Sequence, residues 1–170
     1  MLRRVTDPFA EPPEARDPVR RLRGRLPAPV TVWTAGPPEA PTGLTVASVL
    51  VAEGEPGRIL GLVGNLTELW DAVAATRTFV VHVLGREHRD LADRFAGRVP
   101  VPGGAFAGVA TTPSAWGPVL DEVPARAACR LEDAGPAGYA LLLRGTVEHL
   151  DLDGPDDPLV WFRARYRRLA

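Results

Sequence analysis

The run from residue 43 to residue 97 constrains this chain more than any other stretch. It opens with a strand bearing Thr45 and Ser48, and an apolar strand follows across residues 57–64. A polar turn then opens a short helix, another apolar strand covers residues 78–85, and a second helix closes at Gly97. Residues 53–57, Glu-Gly-Glu-Pro-Gly, read as the hairpin turn between the first two strands. The 57–64 run is almost continuously apolar, as in a strand buried on both faces. Thr67 is a good N-cap, with Glu68 in the first turn and Leu69, Val73 and Ala74 behind it, so the first helix is expected over 67–75. The second is expected over 87–97, with Leu91 and Phe95 one turn apart and Gly97 as its C-cap.

The flanks carry the same kind of signal. Residues 1–17 are rich in Pro, Glu and Arg and read as a loose arm. Residues 18–26 predict a short basic helix stopping near Gly24; its arginines 20, 21, 23 and 25 read as a solvated face before a phosphate or partner contact. Strands are expected at 29–36, 41–54, 123–133, 138–152 and 157–162, with 99–117 mostly loop. Seven or so strands, two or three short helices and many Gly/Pro turns, without parallel β-α-β units, predict a mainly β domain: an antiparallel barrel with helices at its openings.

Composition removes several classes of function. The chain has 170 residues, 45% of them hydrophobic, which suits one domain with a sizeable core. A net charge of −1 gives no global pull towards nucleic acid or an anionic membrane. No stretch reaches the ~20 apolar residues of a membrane helix, and the amino terminus lacks a signal-peptide core. The single cysteine, Cys129, excludes an internal disulfide, so a cytoplasmic setting is expected and the thiol reads as buried and inert. All 20 basic residues are arginine, which excludes a Schiff-base or phosphate-loop lysine. His82, His88 and His149 offer no paired metal-ligand spacing with that cysteine, and no metal site is expected.

A site for a flat ring ligand that carries a phosphate needs donors for the phosphate, an apolar slot and polar groups at the ring edge. Helix N-termini and hydroxyls meet the first need. Asn65 and Thr67 stand at such a place, with Leu66 between them; Thr67 as a plain cap is the competing reading. Asn65 to Thr67 also match a glycosylation sequon, irrelevant inside a cell. Thr45 and Ser48, three apart on one strand, point to opposite faces unless the strand is broken or bulged. His82 on an apolar strand reads first as a hydrogen-bonded core residue. Trp33, Trp70, Trp116 and Trp161 read first as packing.

The order of these features resembles the flavin reductase-like family of FMN-binding split barrels. The first-strand pattern is matched by Gly43, Thr45, Val46 and Ser48, with Ala47 between the last two, and the turn into the helix by Thr67 to Trp70. His82-Val83-Leu84 stands for an Asn-Val-Leu strand end, and Arg94-Phe95-Ala96 for the second helix end. Gly117 to Leu120, Cys129 and the tail from Pro158 to Tyr166 complete the match. The chain departs from the pattern at Ala47, Leu69, His82, Tyr139, Phe162 and Ala164.

The resemblance implies a split-barrel domain over 26–170 after an arm and short helix over 1–25. It implies a homodimer binding FMN, with FAD or riboflavin as relatives of that ligand, and hydride transfer from NAD(P)H to the flavin, feeding a monooxygenase. It places the cofactor against Thr45, Val46, Ala47, Ser48, Asn65, Leu66, Thr67, Trp70 and His82. It adds Phe95 to the cofactor-binding residues and assigns Arg94 to the phosphate, and Arg165 and Tyr166 to the ring or nicotinamide side. The alternative is a ligand-binding module on the same fold without reductase turnover. A role for the arginine-rich ends in protein or nucleic-acid binding is disfavoured by the net charge.

Overall fold

The computed structural model describes residues 17–154 and 156–169. The loose arm expected over 1–17 therefore lies outside the described residues except for Asp17. Asp17 caps helix α1 (Pro18–Arg23), its carboxylate accepting from Val19 N at 2.9 Å. The helix stops at Gly24, as expected, and none of its residues is buried.

The strands are β1 (Ala28–Pro29), β2 (Thr31–Ala35), β3 (Thr42–Val46), β4 (Val49–Ala52), β5 (Arg58–Val63), β6 (Thr78–Val83), β7 (Thr111–Thr112), β8 (Val119–Leu120), β9 (Arg126–Ala137), β10 (Ala140–Asp151), β11 (Val160–Phe162) and β12 (Arg165–Arg167). Helix α2 (Glu68–Thr76) follows β5, and α3 (Arg89–Phe95) follows β6 through a 3₁₀ turn, Arg86–His88. Seven strands form one antiparallel sheet in the order β3-β2-β6-β9-β10-β5-β4. Its two edge strands, β3 and β4, are consecutive in the chain and separated only by Ala47 and Ser48. From Val46 to Val49 is three steps of chain, which span at most about 11 Å when fully extended. The edges must therefore approach each other, and the sheet curls into a barrel that is split between β3 and β4. The expected mainly β, antiparallel barrel is the observed fold.

Two apolar layers hold it. The barrel interior centres on Trp33 stacked on Phe79, with ring centroids 4.8 Å apart, surrounded by Val46, Ile59, Val63, Leu69, Val73, Val81 and Leu143. Such a stacked pair adds ~0.5–1.5 kcal/mol beyond its burial. Glycine is required where strands pass these rings: a Cβ on Gly61 would lie 2.6 Å from the Trp33 ring. The second layer lies outside the barrel, where α3 covers β2 through Leu91, Ala92 and Phe95 against Val30, Val32 and Leu84. Strand β2 is thus buried on both faces, Trp33 and Ala35 inward and Val32 outward, which is why its sequence shows no polar alternation.

Several expectations are corrected. The strand foreseen over 41–54 is two strands on opposite edges. The 29–36 strand is interrupted at Val30, which donates to Leu159 O and accepts from Leu84 N, so β1 belongs to a small sheet with β11 and β12. Strand β5 is not buried on both faces, since Leu62 is 40% exposed. The 123–133 and 138–152 strands form one long hairpin, with bulges between Arg144 and Gly145 and between Val147 and His149. Strands β7, β8 and β12 lie where loop or tail was expected.

Candidate functional site

The chain crosses from one sheet edge to the other at Ala47–Ser48, both half-buried. On the entry side, Val46 is buried in the barrel, and its carbonyl accepts from Thr31 Oγ1 at 2.6 Å. Thr31 in turn accepts from the Trp33 indole at 3.0 Å. On the exit side, Ser48 O accepts from Leu62 N at 3.1 Å. Leu62 is one residue from the end of β5, so the turn at 64–67 begins about 7 Å along the strand from Ser48. The strand is broken between Thr45 and Ser48, but the break does not bring both hydroxyls to one ligand, because Thr45 turns to α3.

The turn leads into α2. Thr67 Oγ1 accepts from Trp70 N at 3.2 Å and donates to Gly64 O at 2.8 Å. Its hydroxyl is therefore committed to the cap, the bland reading of that residue. Of the first four N–H groups of the helix start, Thr67 N is bonded to Gly64 O and Trp70 N to the cap. Glu68 and Leu69 retain the free N–H groups that every helix start has. Leu69 and Val73 anchor α2 in the barrel core, Trp70 packs against it, and Asn65 and Leu66 are exposed. A hydroxyl at Ser48, an amide at Asn65 and two backbone N–H groups make a donor set of the kind that flavin ribityl and phosphate oxygens accept from. The carboxylates of Glu68 and Asp71 in the same first turn offset part of the helix field there.

The other predicted residues lie elsewhere. Thr45 points away from the barrel interior, and its hydroxyl donates to Ala92 O of α3 at 2.7 Å. On α3, Phe95 is buried, meets Phe106 edge-on at 5.0 Å and presses on Gly43. Arg94 spends one guanidinium nitrogen on Ala107 O (2.8 Å) and Ala105 O (3.4 Å), pinning the loop after α3. Tyr166 on β12 donates to Asp93 Oδ1 at 2.7 Å, and burial followed by the Asp93 contact pushes its phenol up. Arg165 is exposed. Arg94, Phe95 and Tyr166 thus belong with α3, which meets β3 through the Thr45 hydroxyl and through Phe95 against Gly43.

His82 is the clearest correction. It is fully buried on the α3 side of β6. Its Nδ1 lies 3.1 Å from Val32 O, and its Nε2 accepts from Leu120 N at 3.0 Å. A carbonyl can only accept and an N–H only donate, so these partners select the neutral Nδ1–H tautomer. Burial lowers its pKa to about 4, with the Arg126 charge adding to the shift and the Val32 bond opposing it. No nitrogen is left for a ligand, and Phe95 likewise presents no free face. Cys129 is buried as expected, and burial pushes its thiol up to about 12.

Sequence reasoning missed Asp93. It collects the Tyr166 hydroxyl, Arg98 at 3.2 Å and Arg89 at 4.0 Å, and Arg98 lies 4.1 Å over the Trp161 ring. The Arg89–Asp93 spacing was the only visible signal. Two surface clefts, of about 350 and 370 Å³, sit at the far end of α2, beside Thr76 and Thr78, and on α3, beside Asp93 and Arg94. Neither contains Ser48 or Thr67. Among the described residues no group of three or more His, Cys, Asp or Glu could hold a metal ion, and no helix is long and apolar enough to cross a membrane.

Comparison with known proteins agrees with this architecture. The chain is 29% identical over 168 residues to "FMN reductase (NADH) RutF 2" of Rhizobium rhizogenes, covering 97% of this chain and 96% of the relative. It is 27% identical over 151 residues to "Flavin-dependent monooxygenase, reductase subunit HsaB" of Mycobacterium tuberculosis, covering 86% and 79%. The solved NADH:FAD oxidoreductase SgcE6 of Streptomyces globisporus superposes with a TM-score of 0.81 at 26% identity, covering 96% of this chain and 99% of that one. The family model described as "Flavin reductase like domain" matches residues 23–170, and the chain belongs to that family.

Proposed function

We propose that this chain is a flavin reductase that binds FMN and moves hydride from NAD(P)H to it, supplying reduced flavin to a monooxygenase. The observation that carries the reading is the pairing of Ser48 with Leu62, which sets the Ala47–Ser48 crossing beside the 64–67 turn. It supports a site in which Ser48, Asn65 and the Glu68 and Leu69 N–H groups donate to ribityl and phosphate oxygens. The flavin, when bound, supplies the redox chemistry. The chain's task is to orient two flat rings and exclude water around them. Trp70, half-buried against the barrel core in the first turn of α2, gives an apolar flank. The names of the relatives support both the nicotinamide and the monooxygenase partner.

The working unit in this reading is a homodimer in the cytoplasm, built from residues 26–170 with 1–25 as an arm. The outer face of β4, β5 and β10 supports the dimer. Leu50 is 70% exposed, and Leu62 and Leu142 stand opposite each other in the register at 40% and 39%. Ion pairs of Arg58 and Arg144 with Glu132 border this stripe. An apolar centre with a charged rim is the anatomy of a protein interface. It adjoins Ser48, so a second copy would wall the open groove.

The test is an absorbance spectrum with FMN and then NADH under nitrogen. A shifted flavin band that bleaches on NADH is expected. Absence of both at micromolar protein and flavin refutes the reading. A shift without bleaching selects the binding-module alternative, which Leu69 and the committed Thr67 hydroxyl favour.

A further inference from the structure

Thr31 and Thr45 approach the crossing from opposite sides of β3. Thr31, inside the barrel and 3% exposed, holds the carbonyl of Val46. Thr45, outside it, ties β3 to α3 through Ala92 O. Helix α3 is itself fixed from the far side, where Tyr166 and Arg98 bind Asp93, the next residue along. Beyond the crossing, Ser48 O is held by Leu62. The β3 ladder ends at Val46 and the β4 ladder starts at Val49, so Ala47 lies outside both and Ser48 is held through its carbonyl on Leu62. A two-residue link without its own ladder takes its geometry from its anchors.

We infer that Thr45 and Thr31 are positioning residues: their hydroxyls, one clamped to α3 and one to Val46, set the geometry of Ala47–Ser48 and hence its fit to the ligand, without touching the ligand. The inference deepens the proposed function and rests on it for the ligand arm alone. It assigns Thr45 a different job from the cofactor contact that the family resemblance implies.

The experiment has two arms. In the first, hydrogen–deuterium exchange is followed on the ligand-free protein in peptides spanning residues 46–50. Thr45→Val, which keeps the shape and removes the hydroxyl, should speed exchange there several-fold and leave peptides of β9 unchanged. Thr45→Ser, which restores a hydroxyl, should return exchange to the wild-type rate. Thr31→Val should also speed exchange at 46–50, but it orphans the Trp33 indole N–H as well, so for this position the deciding comparison is the return of the 46–50 rate in Thr31→Ser. In the second arm, FMN is titrated by fluorescence quenching. Removing one hydrogen bond of ordinary strength should raise the Kd about three- to tenfold in Thr45→Val, and the serine variant should restore it. A valine variant with unchanged exchange at 46–50 overturns the inference. So does one whose exchange rises equally across the molecule, since that is general destabilisation. If wild-type protein binds no FMN, the flavin reading fails while the exchange arm still decides the positioning claim.

Discussion

The buried imidazole of His82 makes acid stability a quantitative test of this fold. The ring is neutral in the native state, with Nδ1–H on Val32 O and Nε2 receiving Leu120 N–H. Protonation would put a second N–H against the Leu120 N–H, and would place a charge near Arg126, in a site that excludes water. The native pKa is therefore depressed, from an ordinary 6.5 to about 4. In the window between these values the unfolded chain binds the proton and the native chain does not. Stability is fully present above pH 6.5, falls as pH drops, and stops falling once the native form also protonates near pH 4. Linkage with these two values gives a loss of about 2 kcal/mol between pH 7.5 and pH 5.0.

The assay is urea unfolding of wild type and His82→Asn at both pH values. Asn can keep the Val32 bond but is too short to reach Leu120, leaving that N–H unpaired at a cost of ~1–3 kcal/mol at either pH. The informative quantity is the double difference, in which every other titrating group cancels. Wild type should lose about 2 kcal/mol more than the variant between pH 7.5 and 5.0. Glu132 and Glu148, held below the usual carboxylate range first by Arg58 and Arg130 respectively, lose their contribution only below about pH 4.5, outside the window. Equal losses in the two proteins would refute the buried, neutral assignment.

Four further outcomes are expected. Gly61→Ala adds a methyl 2.6 Å from the Trp33 ring and should cost ~1–3 kcal/mol in urea; an unshifted midpoint contradicts the close approach. Thr67→Ala removes the α2 cap and should cost ~1 kcal/mol, measured in the same way, with an unchanged stability contradicting the cap. Cys129 should resist a disulfide-exchange reagent at pH 8 until denaturant is added, and stoichiometric labelling of the folded protein contradicts its burial. Leu62→Glu, on the exposed outer stripe, should convert the proposed dimer to monomer in sedimentation while leaving the monomer folded; a monomeric wild type refutes the dimer, and an unchanged dimer moves the interface elsewhere.

Much of this architecture was legible in the sequence because it rests on local signals. The β-branched runs of β2 and β6, the Thr67 cap and the Gly24 stop are each read within a few residues. His82, flanked by Phe79 to Val81, was legible as a core histidine on the same ground, although its place in a strand-end motif suggested a ligand. The break at Ala47–Ser48 was not legible, since both residues sit comfortably in a strand. Only the pairing of β3 with β2 and of β4 with β5 ends one ladder and starts another. Strand β12 is three residues long and gains its order from β11 and the Asp93 contact. The target of a hydroxyl is set by packing across 47 residues, in the case of Thr45 and Ala92.

That last point bears on how hydroxyls near a split barrel should be read. A closed barrel satisfies backbone groups by its ladder, but a split leaves some without a strand partner. Side-chain hydroxyls can take over that work, as Thr31 does at Val46 O. A Thr/Ser-rich strand beside a split thus has two sources of demand, the ligand and the fold. Here Thr31, Thr45 and Thr67 each donate to a backbone carbonyl. Ser48 is the hydroxyl at the crossing itself. Ser48→Ala should therefore weaken FMN binding with little change in urea stability, whereas Thr67→Ala, which loses the α2 cap, should lower stability; a Ser48→Ala variant that loses stability but keeps its affinity would reverse this division of labour.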